Sequence, residues 1–182
     1  NLLSLAGGGG VGHKQYDNLS HRQRIKMLRE EIETFRDHPA LLSWYISDEP
    51  VGQGVPPDSL VEAYELIKEL DPYHPVAVVF ISPGMASEYS HVMDIVMADP
   101  YPIPSGKVDE VGAVAAQLSN EFFMEKPVWI VPQAFGGNEW WEREPTAQEL
   151  RLMTYLGILN NANGIQYFIR HGMNSFPKST IT

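Results

Sequence analysis

The chain has 182 residues and a formal net charge of −10, which argues against a nucleic-acid partner, because phosphates would be repelled. At 43% hydrophobic residues it can bury a sizeable core; no apolar run approaches a membrane span, so a soluble chain is expected. It contains no cysteine, which rules out disulfides and thiolate metal sites but leaves the compartment open.

In chain order, Leu2–Ala6 reads as a short buried strand running into Gly7-Gly-Gly-Gly10. The glycines up to Gly12 satisfy GxGxxG, but polar loop residues follow where a dinucleotide fingerprint would open a helix. His13 stands where a phosphate loop needs lysine, so a plain turn is the preferred reading. Asn18-Leu-Ser20 is a glycosylation sequon, and on it the localisation leans towards secreted or extracellular.

From Ser20 the period becomes helical. Ser20 and Gln23 form a capping box, and Ile25, Leu28, Ile32 and Phe35 follow on one face. Leu41–Ser47 is the next strand, and it closes on Asp48, Glu49 and Pro50. Proline should push Glu49 towards an extended backbone, so that the carboxyl projects from the strand tip. After a Gly/Pro-rich loop, Ser59 and Glu62 are expected to cap a second helix, with Leu60, Ala63, Tyr64, Ile67 and Leu70 inward.

Val76–Ile81 is a continuous apolar strand, followed by a helical turn over Met85–His91. Asp94–Ala98 is the fourth strand, ending in Asp99-Pro-Tyr-Pro102. Val111, Val114, Ala115, Leu118 and Phe122 mark a helix, and Val128–Val131 a strand ending in Pro132-Gln133. Thr146 and Glu149 form another capping box, for a helix through about Asn160. Gly164–Ile169 is the sixth strand, ending at Arg170-His171.

Continuous apolar strands joined by amphipathic helices indicate a parallel sheet covered by helices. A doubly wound open sheet and a (β/α)8 barrel both satisfy that pattern. Glu49, Asp99, Gln133 and Arg170 all fall just past a strand, and polar groups spread over successive strand tips favour the barrel. The expected fold class is therefore α/β: an incomplete (β/α)8 TIM-type barrel of about six parallel strands with outer helices.

The chain resembles the large clan of (β/α)8 glycoside hydrolases over nearly its whole length, from an apparent third strand to an apparent eighth. Trp44-Tyr-Ile-Ser-Asp-Glu-Pro50 is similar to the clan's fourth strand, whose tip carries the general acid/base glutamate. Asp94-Ile-Val-Met-Ala-Asp-Pro-Tyr-Pro102 resembles the sixth, where a Tyr-Pro pair lines the sugar site, and Gly164–Ile169 the eighth. Lys126-Pro-Val-Trp-Ile-Val-Pro-Gln-Ala-Phe-Gly136 is similar to the seventh, where the clan's nucleophilic glutamate precedes an aromatic-Gly pair.

Two positions depart from the clan's pattern: Asp48 replaces its asparagine, and Gln133 stands at the nucleophile's place. A retaining double displacement needs two carboxyl groups ~5 Å apart, and an amide cannot attack. Three readings stay open. Glu139, Glu142 or Glu144 could fold back from the next loop; the substrate's own acetamido group could attack, with Asp48 orienting it; or the site is inactive.

The resemblance implies Glu49 as general acid/base, with Asp48 and Asp99 as further catalytic candidates. Tyr101, Gln133, Trp140, Trp141 and Arg170 are the candidates for binding a carbohydrate. Each has a structural alternative: Asp99 as a turn cap, Tyr101 as rim packing, Trp140 and Trp141 as a cover over the core, and Arg170 as an ion-pair partner. His13, His74, His91 and His171 lack metal-ligand spacing, so neither a metal nor a cofactor is expected. Met85, Met93, Met97 and Met153 read as gap-filling core.

A closed barrel needs eight strands, so residues 1–182 are expected to be a single partial catalytic-type domain and a piece of a larger protein. The remainder of its own barrel, or a companion chain, would supply the missing strands. The reading is a glycoside hydrolase acting on a neutral or N-acetylated glycan. The alternative is a catalytically degenerate barrel that serves as a carbohydrate-binding or structural subunit.

Overall fold

The structure, a computed structural model, describes residues 2–4 (backbone only), 19–137 and 140–169. Arg170, His13, His171 and Glu139 lie outside the described residues, as does the sequon residue Asn18. The chain divides into two compact units, Asn1–Val96 and Met97–Thr182.

The first unit runs β1 (Leu2–Ser4), α1 (His21–Phe35), β2 (Ser43–Asp48), α2 (Val61–Leu70), β3 (Val76–Phe80) and the start of β4 (Ile95–Ala98). The second takes the end of β4, then α3 (Glu110–Glu121), β5 (Val128–Ile130), α4 (Ala147–Leu159) and β6 (Gly164–Ile165). Hydrogen-bonded strand order follows the chain, β1-β2-β3-β4-β5-β6. The pairs β1–β2, β2–β3 and β5–β6 are parallel. The fold class is thus α/β with a parallel sheet. Every residue of β3 and β4 is buried, as expected where a sheet is covered on both faces.

The capping boxes at Ser20/Gln23 and Thr146/Glu149 are both present, each with reciprocal side-chain and backbone bonds. The one expected at Ser59/Glu62 is not. Pro56 and Pro57 wind the chain into a 3₁₀ turn, Pro57–Leu60, that takes up Ser59, and α2 starts after Leu60 without a side-chain cap. The turn expected over Met85–His91 is a 3₁₀ segment, Pro83–Val92. Met93, Met97 and Met153 fill the core, whereas Met85 on that segment is 39% exposed. Phe35, at the last position of α1, is also partly exposed, at 37%, rather than fully inward. The sixth strand is shorter than expected, but its pairing resumes where Gln133 bridges Phe168.

Two carboxylates, the half-buried Asp94 and the buried Asp71, tie the amino-terminal ends of the strands. Asp94 accepts hydrogen bonds from the Tyr64 hydroxyl (2.9 Å), Lys68 Nζ (3.1 Å) and the Val76 N–H (2.9 Å). Burial alone would raise the Asp94 carboxyl; those three donors outweigh it and hold it below the usual carboxylate range. Burial and the neighbouring Asp94 push the Tyr64 hydroxyl up to about 12. Asp71 is likewise held low: against its burial stand bonds from Trp44 and His74.

A depressed folded-state pKa means fewer bound protons in the fold than in the unfolded chain. These carboxylates therefore stabilise above the unfolded carboxylate pKa of about 4, and that contribution is lost as pH falls through their folded values. Melting temperatures should decline as pH drops below about 4, and Asp94→Asn should flatten that decline. An unchanged acid limb in Asp94→Asn would show that Asp94 is not one of the groups responsible.

Candidate functional site

Each unit carries its candidate residues at the carboxyl end of its strands. In the first, β2 holds register with β3 through Tyr45, then shifts between Tyr45 and Ser47 before reaching Asp48. Glu49 follows with a backbone φ of 44°, in the left-handed region that a residue with a long side chain rarely adopts. This corrects the extended backbone expected from Pro50. The chain turns at once, with the Glu49 carbonyl accepting the Gln53 N–H (3.2 Å) and the Glu49 N–H donating to Val79 (3.1 Å).

A turn at Glu49 breaks the strand alternation that would otherwise send Asp48 and Glu49 to opposite faces. The Asp48 carboxylate accepts the Tyr45 hydroxyl, and the Gln53 amide donates to the Asp48 carbonyl. Neither Tyr45 nor Gln53 stood out in the sequence as a partner of this tip. Asp48 and Glu49 are half-buried, so both carboxyls are partly screened yet reachable.

In the second unit the residues past β4, β5 and β6 converge on a group of aromatic rings. Tyr101 meets Phe135 edge-on at 4.9 Å between centroids and stacks with Phe168 at 6.2 Å. Trp141 meets Phe135 at 5.1 Å and Tyr101 at 6.0 Å, both edge-on. Its indole N–H donates to the Tyr101 carbonyl at 3.4 Å. Phe135 is buried, while Tyr101, Trp141 and Phe168 are half-buried. Phe135 and Phe168 were not among the expected site residues; the only signal for Phe135 was its place in the aromatic-Gly pair.

The two neighbouring tryptophans part company: Trp141 packs into the rings and Trp140 is 77% exposed. Their loop is closed at its base. A Cβ on Gly136 would stand 2.1 Å from the Arg143 carbonyl carbon and the Glu144 nitrogen, so only glycine admits that crossing. Arg143 then forks onto both carboxylate oxygens of Glu149 at 2.8 Å each, in the first turn of α4. The Arg143 bonds, with the Thr146 N–H, bring the Glu149 carboxyl down to about 2.

Asp99 is buried directly past β4 (4% exposed). Gln133 is fully buried; its side-chain oxygen accepts the Ile103 N–H (2.9 Å), and its nitrogen donates to the carbonyls of Ile103 (3.0 Å) and Phe135 (3.1 Å). Of the loop acids, Glu142 is exposed and Glu144 half-buried. A carboxyl pair at one strand end and an aromatic wall past three others can, respectively, move a proton and stack on the C–H faces of a sugar ring.

No family model matches the chain, and no curated protein sequence does. Solved structures do resemble it. The GH2 β-galacturonidase of Eisenbergiella tayi, bound to galacturonate, superposes with a TM-score of 0.63 at 21% identity, over 88% of this chain and 31% of that one. A β-galactosidase of the Antarctic haloarchaeon Halorubrum lacusprofundi gives 0.67 at 15% identity, over 87% of this chain and 37% of that one. The β-D-glucuronidase of Dictyoglomus thermophilum gives 0.59 at 17% identity, over 80% and 28%. The chain thus spans about a third of the length of these structures, and at such identities the likeness is one of fold.

Proposed function

We propose that the chain is part of a glycoside hydrolase acting on a neutral or N-acetylated glycan, with Glu49 as general acid/base. The observation that carries this is Glu49 itself, a carboxyl held in a strained left-handed backbone at the end of a parallel strand, beside Asp48. The fold shared with parts of β-glycosidases supports a glycoside hydrolase in general, and the aromatic wall supports a sugar. Strand order that never reverses supports a barrel segment over a doubly wound sheet, whose order turns back at a switch point. The remaining strands would come from the rest of the barrel's own polypeptide or from a companion chain.

On this reading the Glu49 carboxyl gives its proton to the glycosidic oxygen as the bond from that oxygen to the anomeric carbon breaks. With an N-acetylated sugar, the acetamido oxygen bonds the anomeric carbon from the opposite face, while Asp48, itself braced by Tyr45, accepts the acetamido N–H. Glu49, now a carboxylate, takes a proton from the water that opens the cyclic intermediate, which retains configuration. Tyr101, Trp140 and Trp141 would meet the sugar faces, with Asp99 and Arg170 as polar contacts.

A second reading, a binding or structural subunit, is favoured by one observation: the amide of Gln133 past β5. A panel of aryl glycosides, including N-acetylhexosaminides, offered to the intact protein decides between them. Phenol release supports the enzyme; saturable binding without release supports the subunit; neither result would end the carbohydrate reading.

A further inference from the structure

The segment Pro100-Tyr-Pro-Ile-Pro104 has prolines at three of five positions, so Tyr101 and Ile103 hold its only backbone N–H groups. A segment so short of donors cannot extend the sheet ladder. Gln133 takes the ladder's place: its amide meets both the N–H and the C=O of Ile103, as a neighbouring strand would, and its other amide hydrogen reaches Phe135. Gln133 therefore joins the backbone beside Tyr101 to the backbone of Phe135, whose rings meet edge-on at 4.9 Å.

We infer that Gln133 is a positioning residue: it sets the aromatic wall by clamping Ile103 and Phe135, and the position cannot carry a nucleophilic carboxylate. A carboxylate would accept from the Ile103 N–H but would set its second oxygen against two carbonyl oxygens about 3 Å away, with nothing to donate. Ionised, it would be repelled; protonated, it could restore one of the two lost bonds. No glycosyl–enzyme bond forms at this position, and Gln133 acts on substrate only through Tyr101 and Phe135. The effect on substrate rests on the function proposed above; the clamp does not.

The test is Gln133→Glu in the intact protein, with Gln133→Met as the volume-conserving control. Buried with one donor, the Ile103 N–H, and two carbonyl oxygens against its other oxygen, the introduced carboxyl should have its pKa raised by the fold, so stability should fall as pH rises above the unfolded value of about 4.3. The melting temperature of Gln133→Glu should drop by about 5 °C more at about pH 8 than at about pH 5, while Gln133→Met shows no such pH difference. On an aryl glycoside that the wild type turns over, KM should rise ~10-fold at the higher pH with kcat within about threefold, and recover at the lower pH.

A Gln133→Glu protein equally stable at both pH values, or one that gains turnover, would overturn the inference and mark the position as a dormant nucleophile site. Should the wild type hydrolyse nothing, the proposed function falls, and the two melting curves still decide the clamp.

Discussion

Glu49→Gln is expected to lower turnover of unactivated glycosides by about 10²- to 10⁴-fold, the range for losing a positioned general acid, with the melting temperature within about 2 °C of the wild type. The substitution leaves in place the backbone bonds of Glu49, to Val79 and from Gln53, that hold the turn. The amide matches the carboxyl in size and has no proton to give to a leaving oxygen. Asp48→Asn separates the two roles. If Asp48 orients an acetamido group, that variant should lose activity on N-acetylhexosaminides far more than on glycosides without the acetamido group. Equal losses on both would remove the substrate-assisted step and leave Glu49 its acid role.

The second large effect is structural. Asp71 ends α2 and is 3% exposed, and one carboxylate serves four donors. It accepts the Trp44 indole N–H at 2.8 Å, the His74 ring nitrogen at 2.7 Å, and the backbone N–H groups of Tyr73 and His74 at 3.3 and 3.2 Å. Trp44 is the largest fully buried side chain of the first unit, so Asp71→Ala strands its N–H in the core. The cost should be about 3 kcal/mol, a fall of roughly 6–12 °C in melting temperature. Trp44→Phe removes the donor, so Asp71→Ala should cost measurably less in that background than in the wild type. Strictly additive losses would mean that the two side chains do not depend on each other.

The strands were legible because their signal is local. Val76–Phe80 and Ile95–Ala98 are unbroken apolar runs between breakers, and they are buried throughout. The caps at Ser20 and Thr146 were legible for the same reason, since both partners lie within one turn. At Ser59 the same spacing misled, because Pro56-Pro57 just before it imposed a 3₁₀ turn. Pro50 disfavours the right-handed helical region for Glu49 but does not choose between the extended and left-handed ones; the turn closed by Gln53 makes that choice.

The places of Asp48, Glu49, Asp99 and Tyr101 at or just past strand ends were legible, because the apolar run before each is a local signal. The site was not legible where the meaning lies in a contact between distant segments. Phe168 and Phe135 each look like ordinary core residues until the fold sets both rings against Tyr101. Nothing in Trp140-Trp141 distinguishes the half-buried ring from the exposed one. Gln133 shows the same limit from the other side: the resemblance sets it at a nucleophile's place and made it a candidate for binding a carbohydrate, and only the bonds to Ile103 and Phe135 reveal an amide occupied by backbone.

Proton donation by Glu49 has a direct signature in how rate depends on the leaving group. With the intact protein, log(kcat/KM) would be measured across aryl glycosides of one sugar whose phenols span several pKa units, for the wild type and for Glu49→Gln. The wild type should show a shallow slope, because a protonated leaving oxygen departs almost regardless of its own basicity, and the variant a steep one, with activated phenols nearly spared. Equal slopes in the two proteins would contradict the assignment of Glu49 as the acid.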